Sequence, residues 1–177
     1  MLMMTMRNII LFSTVKNLQF LSACKALLMD GTFYCCPALF YQLFIVHGQQ
    51  NYTYVPLAYF LLPSKTSECY EQALKKNEIT ITLNVMPVSV TVDLEDAIHT
   101  AVTKVWSSVN IKGCRFHLGQ SWYRRIQKLG LTQTYRSASA EGSYLRTFFG
   151  LSFFHLMKLK TFPQRLDSAR DPSGRAG

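Results

Sequence analysis

Three groups of residues in this sequence could do chemistry. The first is a pair of acids, Asp30 and Asp93. Asp30 stands before Gly31, and an Asp-Gly pair taken alone reads as a turn. Asp93 stands before Leu94-Glu95-Asp96, where its carboxylate reads as a helix N-cap. The second group is Cys114 with His117, three residues apart and near enough to share a metal ion. Two ligands without a second pair fall short of a zinc site, so a buried thiol beside a hydrogen-bonded imidazole is the plainer reading. The third is Trp122-Tyr123-Arg124-Arg125 with Lys128, preceded by Lys112 and Arg115. It interleaves rings with cations as nucleic-acid-contacting surfaces do. The same spacing also suits an amphipathic helix that turns Trp122, Ile126 and Leu129 inward and leaves its cations solvated. His47 and His99 have no partner legible in the sequence.

The chain that must position these groups has 177 residues, 49% of them hydrophobic and 16% charged. That balance and length fit one folded domain with one core rather than a disordered chain. The 19 Lys and Arg outnumber the 10 Asp and Glu, for a formal charge of +9. An excess of that sign favours a polyanionic partner, although solvated cations also serve solubility alone. The cysteines Cys24, Cys35, Cys36, Cys69 and Cys114 are odd in number and irregularly spaced, which suits a reducing compartment better than a secreted disulfide framework. Near the N-terminus, Arg7, Asn8, Lys16 and Asn17 interrupt the apolar residues before they reach the roughly 20 that a membrane span needs. The expectation is a protein that is neither secreted nor membrane-bound.

Along the chain, Ile9 to Leu28 reads as a short strand followed by an amphipathic helix. The apolar run Ala26–Met29 leads into Asp30 and reads as a strand holding the acid within it or at its edge. Leu39–His47 and Tyr54–Leu62 flank the polar Gln49-Gln50-Asn51 as a hairpin. Thr66 or Ser67 caps a helix over Glu68–Lys76. Ile79–Val92, rich in Ile, Val and Thr, reads as a strand ending at Asp93. Leu94–Trp106 carries the apolar spacing of one helical face. Asn110–His117 reads as a short strand and Leu118–Leu129 as a basic helix closed by Gly130. Strands with acids at their ends, then alternating helix and strand, indicate an α/β sheet of mixed strand direction.

Taken in order, these pieces resemble the MULE (Mutator-like element) transposase domain. The resemblance rests on Met29-Asp30-Gly31-Thr32-Phe33, on Leu39–Phe44 with His47-Gly48, and on Val55–Tyr59 with Leu62-Pro63-Ser64-Lys65-Thr66. It continues through Asp93-Leu94-Glu95 with Ala97, then Gly113–His117, Gln120 and Trp122–Arg125. It covers roughly Ile9 to Leu131, and no single piece is specific, but five ordered pieces at plausible spacing are. The resemblance implies an RNase H-like mixed sheet with flanking helices, incomplete at its far end. It also implies acids that hold Mg²⁺ or Mn²⁺ for DNA strand transfer. Asp30 matches the first catalytic acid and Asp93 the second, with Leu94 where the family usually has Phe. Two hard cations about 4 Å apart would clamp the attacking and leaving oxygens of such a displacement.

The family's third acid is a Glu well beyond the Cys-His motif. Glu141, the one carboxylate between Asp96 and Asp167, does not fit that position. The reading is therefore a transposable-element-derived DNA-binding fragment without cleavage activity, nuclear or cytoplasmic, with self-association left open. The alternatives are an active metal-dependent nuclease and a non-enzymatic basic interaction module. Its parts are a strand-and-helix lead-in over 1–28, a transposase-like core over 29–135, a helical segment over 136–162 and a disordered tail over 163–177.

Overall fold

The computed structural model describes residues 2–6, 8–79 and 85–151. The expected tail over 163–177, and the end of the expected helical segment beyond 151, lie outside the described residues. The chain divides into two compact units, Met1–Leu118 and Gly119–Gly177.

The first unit is a seven-stranded mixed sheet with helices. Its strands are β1 (Leu2–Met6), β2 (Ile9–Ser13), β3 (Ala26–Thr32), β4 (Gln42–Gln50), β5 (Thr53–Leu62), β6 (Ser89–Val92) and β7 (Asn110–Gly113). Its helices are α1 (Val15–Ala23), α2 (Ser67–Ile79) and α3 (Asp96–Val105). The spatial order is β1-β2-β5-β4-β3-β6-β7. Strands β3, β4 and β5 form an antiparallel meander, and β6 then β7 extend it in parallel from β3. This mixed α/β arrangement is compatible with an RNase H-like core, with β2 and β1 added antiparallel beyond β5.

Local chemistry sets each piece. The β4–β5 hairpin turns on Asn51 and Tyr52, both left-handed at φ 47° and 63°. Paired positive φ values make the tight turn whose twist matches that of the flanking strands. Between Val46 and His47 the β4–β5 register shifts, and Leu57 is the extra residue. Pro56, which has no N–H for a ladder, sits beside that bulge. The buried Ser13 hydroxyl donates to the Leu57 carbonyl at 2.6 Å, so the backbone oxygen displaced by the bulge is still satisfied. Helix α1 starts at Thr14, whose hydroxyl accepts the Asn17 N–H at 3.1 Å. Thr66 does the same for the Cys69 N–H at the start of α2.

The even-numbered residues of β4 from Gln42 to Gly48 are buried. Phe44 meets Tyr70 of α2 at a ring separation of 5.2 Å, and Gly48 lies under Cys24 at the end of α1. Helix α3 buries Ile98, Ala101 and Val102, the three- and four-residue spacing of one face. Trp106 caps the end of that layer, its indole N–H donating to the Val85 carbonyl at 2.7 Å.

Three expectations need correction. Ile79–Val92 is not one strand: α2 runs to Ile79, residues 80–84 lie outside the described residues, and β6 is only Ser89–Val92. At Ile79 the β-branched side chain misleads because α2, anchored through Cys69, Tyr70, Ala73 and Leu74, carries its helix past Lys76. Asn110–His117 is likewise not a single strand. β7 ends at Gly113, and helix α4 (Arg115–Lys128) starts almost at once. Finally, Asp93 is not the N-cap of α3; Glu95 holds that position, without a side-chain capping bond.

The second unit contains the later part of α4 with α5 (Thr132–Arg136) and α6 (Ala140–Leu151). Gly130, at φ 71°, ends α4 as the sequence suggests. An aromatic cluster holds this unit: Trp122 meets Phe149 edge-on at 5.8 Å, while Tyr135 lies 5.6 Å from Tyr123 and 5.5 Å from Phe149. Gly142 presses so close to the Thr134 and Ser137 carbonyls that a Cβ there would fall within 2.6 Å of both. Leu129 is exposed rather than packed inward, whereas Ile126 is buried as expected.

Gly48 supplies the test of the sheet's tight packing. A Cβ at that position would stand 2.4 Å from the Cys24 sulfur and 2.6 Å from a Leu57 methyl. Gly48→Val is therefore expected to lower unfolding free energy by about 1–3 kcal/mol, the usual range for overpacking. Urea unfolding followed by circular dichroism measures it, and an unchanged midpoint would contradict the packing described.

Candidate active site

The site begins with register. Strand β3 pairs in parallel with β6 as Ala26 with Ser89, Leu27 with Val90 and Leu28 with Thr91. Continued two residues further, that register sets Asp30 level with Asp93, on strands about 4.8 Å apart. Asp30 is still within β3, paired with Ile45 across the β4 side. The Asp-Gly pair is thus not a turn. Gly31 continues the strand, and a Cβ on it would stand 2.6 Å from the Gln42 amide oxygen, so a larger residue there would displace the Gln42 side chain from its bond to Tyr70.

The next strand delivers the imidazole. β6 pairs with β7 in parallel, and the Cys114 N–H donates to the Val92 carbonyl at 2.7 Å, one step past the end of β7. The Leu118 N–H already bonds back to the Cys114 carbonyl at 3.1 Å, so strand passes to helix with no intervening loop. His117, just under one helical turn beyond Cys114, is thereby brought over the strand ends. Its Nε2 lies 3.6 Å from Asp30 Oδ1, and its Nδ1 lies 3.5 Å from Asp93 Oδ1. The two acids face one ring from its two nitrogens.

Those separations are ion-pair distances, longer than hydrogen bonds. Asp30 Oδ1 and His117 Nδ1 are buried atoms with no hydrogen-bond partner among the described residues. Asp93 is otherwise fixed. Its Oδ1 accepts the Leu94 N–H at 2.6 Å, and its carbonyl accepts from His99 Nε2 at 2.8 Å. His99, without a visible partner in the sequence, therefore anchors the backbone of the second acid. Gly113 belongs to the same corner, where a Cβ would stand 2.8 Å from a Leu94 methyl.

A second polar chain runs beside the acids and was not singled out in the sequence. Lys65 is ion-paired with Glu95, Tyr70 donates toward Glu95 Oε2 at 3.5 Å, and the buried Gln42 amide donates to the Tyr70 oxygen at 2.7 Å. Together with Gly31, Phe33, Phe44, Asp93 and Ile98 these side chains line one groove. The only signal for it was the Asp-x-Glu spacing of Asp93 and Glu95. Burial pushes the Tyr70 hydroxyl up to about 12, opposed in part by the Gln42 bond and reinforced by the nearby Glu95 charge.

The donor chemistry can be tested against a divalent ion. Asp30 offers a buried carboxylate oxygen lacking any donor, beside a second carboxylate at the same height, and hard cations take such oxygens. The two acids fit that role in kind. Among the described residues, no three His, Cys, Asp or Glu side chains assemble into a set that could hold an ion. Cys114 is a free, half-buried thiol next to the strand end, and its neighbour His117 is turned to the acids.

The basic residues are placed as follows. Lys112 on β7 and Arg115 at the start of α4 are exposed in the first unit. Arg124, Arg125 and Lys128 are exposed in the second, with Arg124 reaching Gln120 at 3.4 Å. Glu141 is occupied locally: bonds from its own backbone N–H and from Ser139 hold its carboxyl below the usual range at the start of α6.

A family model described as the MULE transposase domain matches residues 26–121, from the first residue of β3 into α4. No curated protein matches the sequence.

Tyr70 generates a pH prediction. Because its hydroxyl is raised to about 12 from the ordinary 10, the folded chain keeps this proton where the unfolded chain loses it. Its stabilising share is complete below pH 10 and disappears as pH rises from 10 to 12, by up to about 3 kcal/mol. Tyr70→Phe should be less stable at neutral pH, by about 1–3 kcal/mol, because the buried Gln42 amide loses its acceptor. It should also show a flatter stability profile between pH 10 and 12. Denaturation midpoints across that window, with parallel slopes for both proteins, would refute the assignment.

Proposed function

The chain belongs to the MULE transposase family, and on that footing we propose that it is a transposase-derived DNA-binding protein that does not cut DNA. The observation that carries this reading is the convergence of Asp30 and Asp93 on the single imidazole of His117. Two acids supply part of a metal-dependent phosphoryl-transfer centre. The remaining carboxylate of this chain between Asp96 and Asp167, Glu141, is committed to its own helix start.

Asp30 and Asp93 would hold a divalent cation, Mg²⁺ or Mn²⁺, through hard carboxylate oxygens. Such an ion, when bound, neutralises charge that builds on phosphoryl oxygens. What the chain itself does is hold the acids side by side: β3 and β6 fix their height, and His99 and the Leu94 N–H fix Asp93. His117 keeps a polar edge toward each. Removing one preorganised charge-stabilising group commonly costs two to three orders of magnitude in rate, so a centre with only these two acids among the described residues is expected to be silent. The second reading, an active nuclease, draws on the donorless Asp30 Oδ1, which suits a cation better than it suits His117 at 3.6 Å.

Binding rests on the formal charge of +9 and on the exposed cations of α4. With a DNA partner the location we propose is the nucleus, with the cytoplasm as the alternative.

Two measurements decide between these readings. Linear and hairpin DNA incubated with the purified protein and Mg²⁺ or Mn²⁺ should remain intact; strand cutting that Asp30→Asn abolishes would establish the nuclease instead. For binding, each neutralised phosphate contributes a slope of about −0.9 to log affinity against log salt on duplex DNA. Arg124→Ala combined with Arg125→Ala should reduce that slope by about two contacts' worth and leave the unfolding midpoint nearly unchanged, since solvated surface cations add little to stability. Superimposable salt titrations would remove α4 from the interface.

A further inference from the structure

The loop between β3 and β4 leaves large rings in solvent immediately beside the acids. Phe33 is 50% exposed, Tyr41 52% and Tyr34 98%. Phe33 follows Asp30 by three residues, and its ring meets Tyr41 edge-on at 5.6 Å and 87°. Lys65 holds its ammonium 4.7 Å from the Phe33 ring centre and 6.0 Å from that of Tyr41. The loop is tied down. The Cys36 N–H bonds to the Phe33 carbonyl, the Phe40 N–H to the Pro37 carbonyl, and the Tyr41 N–H to the Leu62 carbonyl at 2.8 Å. Lys65 is in turn fixed by Glu95.

Phe33 and Lys65 line the same groove as Gln42, Tyr70, Glu95 and Asp93. The Phe33 ring and the Lys65 cation therefore share the groove with the Asp93 carboxylate, and Tyr41 buttresses Phe33 at its rim. We infer that Phe33 and Tyr41, with Lys65 over them, form a platform on which an unpaired nucleobase at a DNA end stacks beside Asp93.

This proposal rests on the DNA-binding reading above and deepens it by naming the form of DNA the groove takes. A half-exposed ring stacks on any base, but bases inside a duplex already have both faces covered. Only a base freed from pairing can reach the platform, and the strand that carries it brings its phosphates past Lys65 and the acids. The cation suits that phosphate and the ring pair suits that base, whereas an apolar protein segment would bury the Lys65–Glu95 pair and the groove's polar lining without new partners. Preorganisation favours the same occupant. The rings are set by backbone bonds before any ligand arrives, so little ordering opposes stacking.

The test compares a blunt duplex with the same duplex carrying a short single-stranded overhang, 5′ in one probe and 3′ in another, with 2-aminopurine as the first unpaired base. The wild-type chain is expected to bind one overhang about tenfold more tightly than the blunt duplex, and to quench the 2-aminopurine as it does so. Phe33→Ala with Tyr41→Ala should abolish both the preference and the quenching. Phe33→Leu, which keeps apolar volume without a ring, should weaken both and guards against a folding defect in the double variant. Tyr52→Ala removes an exposed ring at the opposite end of β4 and should keep both. Equal binding of blunt and overhang probes, or a preference that survives the double substitution, overturns the platform while leaving DNA binding in place. Absence of binding to every probe overturns the DNA-binding reading and the platform together.

Discussion

The parallel pairing of β3 with β6 is the interaction on which the site depends. Its register is set by burial: Leu27 and Val90 are both in the core, and sliding one strand by a single residue would turn its apolar set to the other face. Once that register holds, Asp30 and Asp93 have no freedom in height. The pairing of β6 with β7 repeats the constraint one strand further and places Cys114 beside the second acid. Three candidate positions, far apart in sequence, are thus aligned by the apolar residues of the strands.

That alignment has an electrostatic cost that the fold answers with specific groups. Two carboxylates on adjacent strand ends repel each other, and the repulsion grows as water is removed. A helix that begins directly at the end of β7 sets an imidazole where it can face both. The backbone N–H of Leu94 and the ring of His99 act on Asp93, while Asp30 Oδ1 has no donor among the described residues. The asymmetry makes Asp30 the less satisfied acid, and it is the one farther from the helix that carries His99. On the other side of Asp93, Glu95 is drawn to Lys65 and Tyr70, which keeps a third negative group from crowding the pair.

Much of this was legible in the residues. The hairpin, the acid-bearing strand, the apolar face of α3 and the helix end at Gly130 all follow from local pattern and turn chemistry. The roles proposed for Asp30 and Asp93 come only from family resemblance, because an Asp before Gly and an Asp before a helix each have an ordinary local explanation. What sequence could not show is long-range. His117 meets the acids through strand order, Gln42 and Tyr70 pair across β4 and α2, and Leu129 is exposed where helical periodicity placed it inward. In the Ile79–Val92 stretch only Ser89–Val92 is strand among the described residues, and Ile79 ends α2, where a helix propagated from a capped start overrides local strand preference.

The two-residue turn at Asn51 and Tyr52 has a consequence for how the molecule comes together. It joins the longest antiparallel ladder in the sheet by closing almost no chain, whereas β3 meets β6 only after the meander and α2 have been looped out between them. Loop-closure entropy rises with the length of chain enclosed, and non-local pairings form slowly for that reason. Assembly therefore runs outward from the hairpin. On that ground the acids are expected to come level with each other only after the hairpin that scaffolds them has closed.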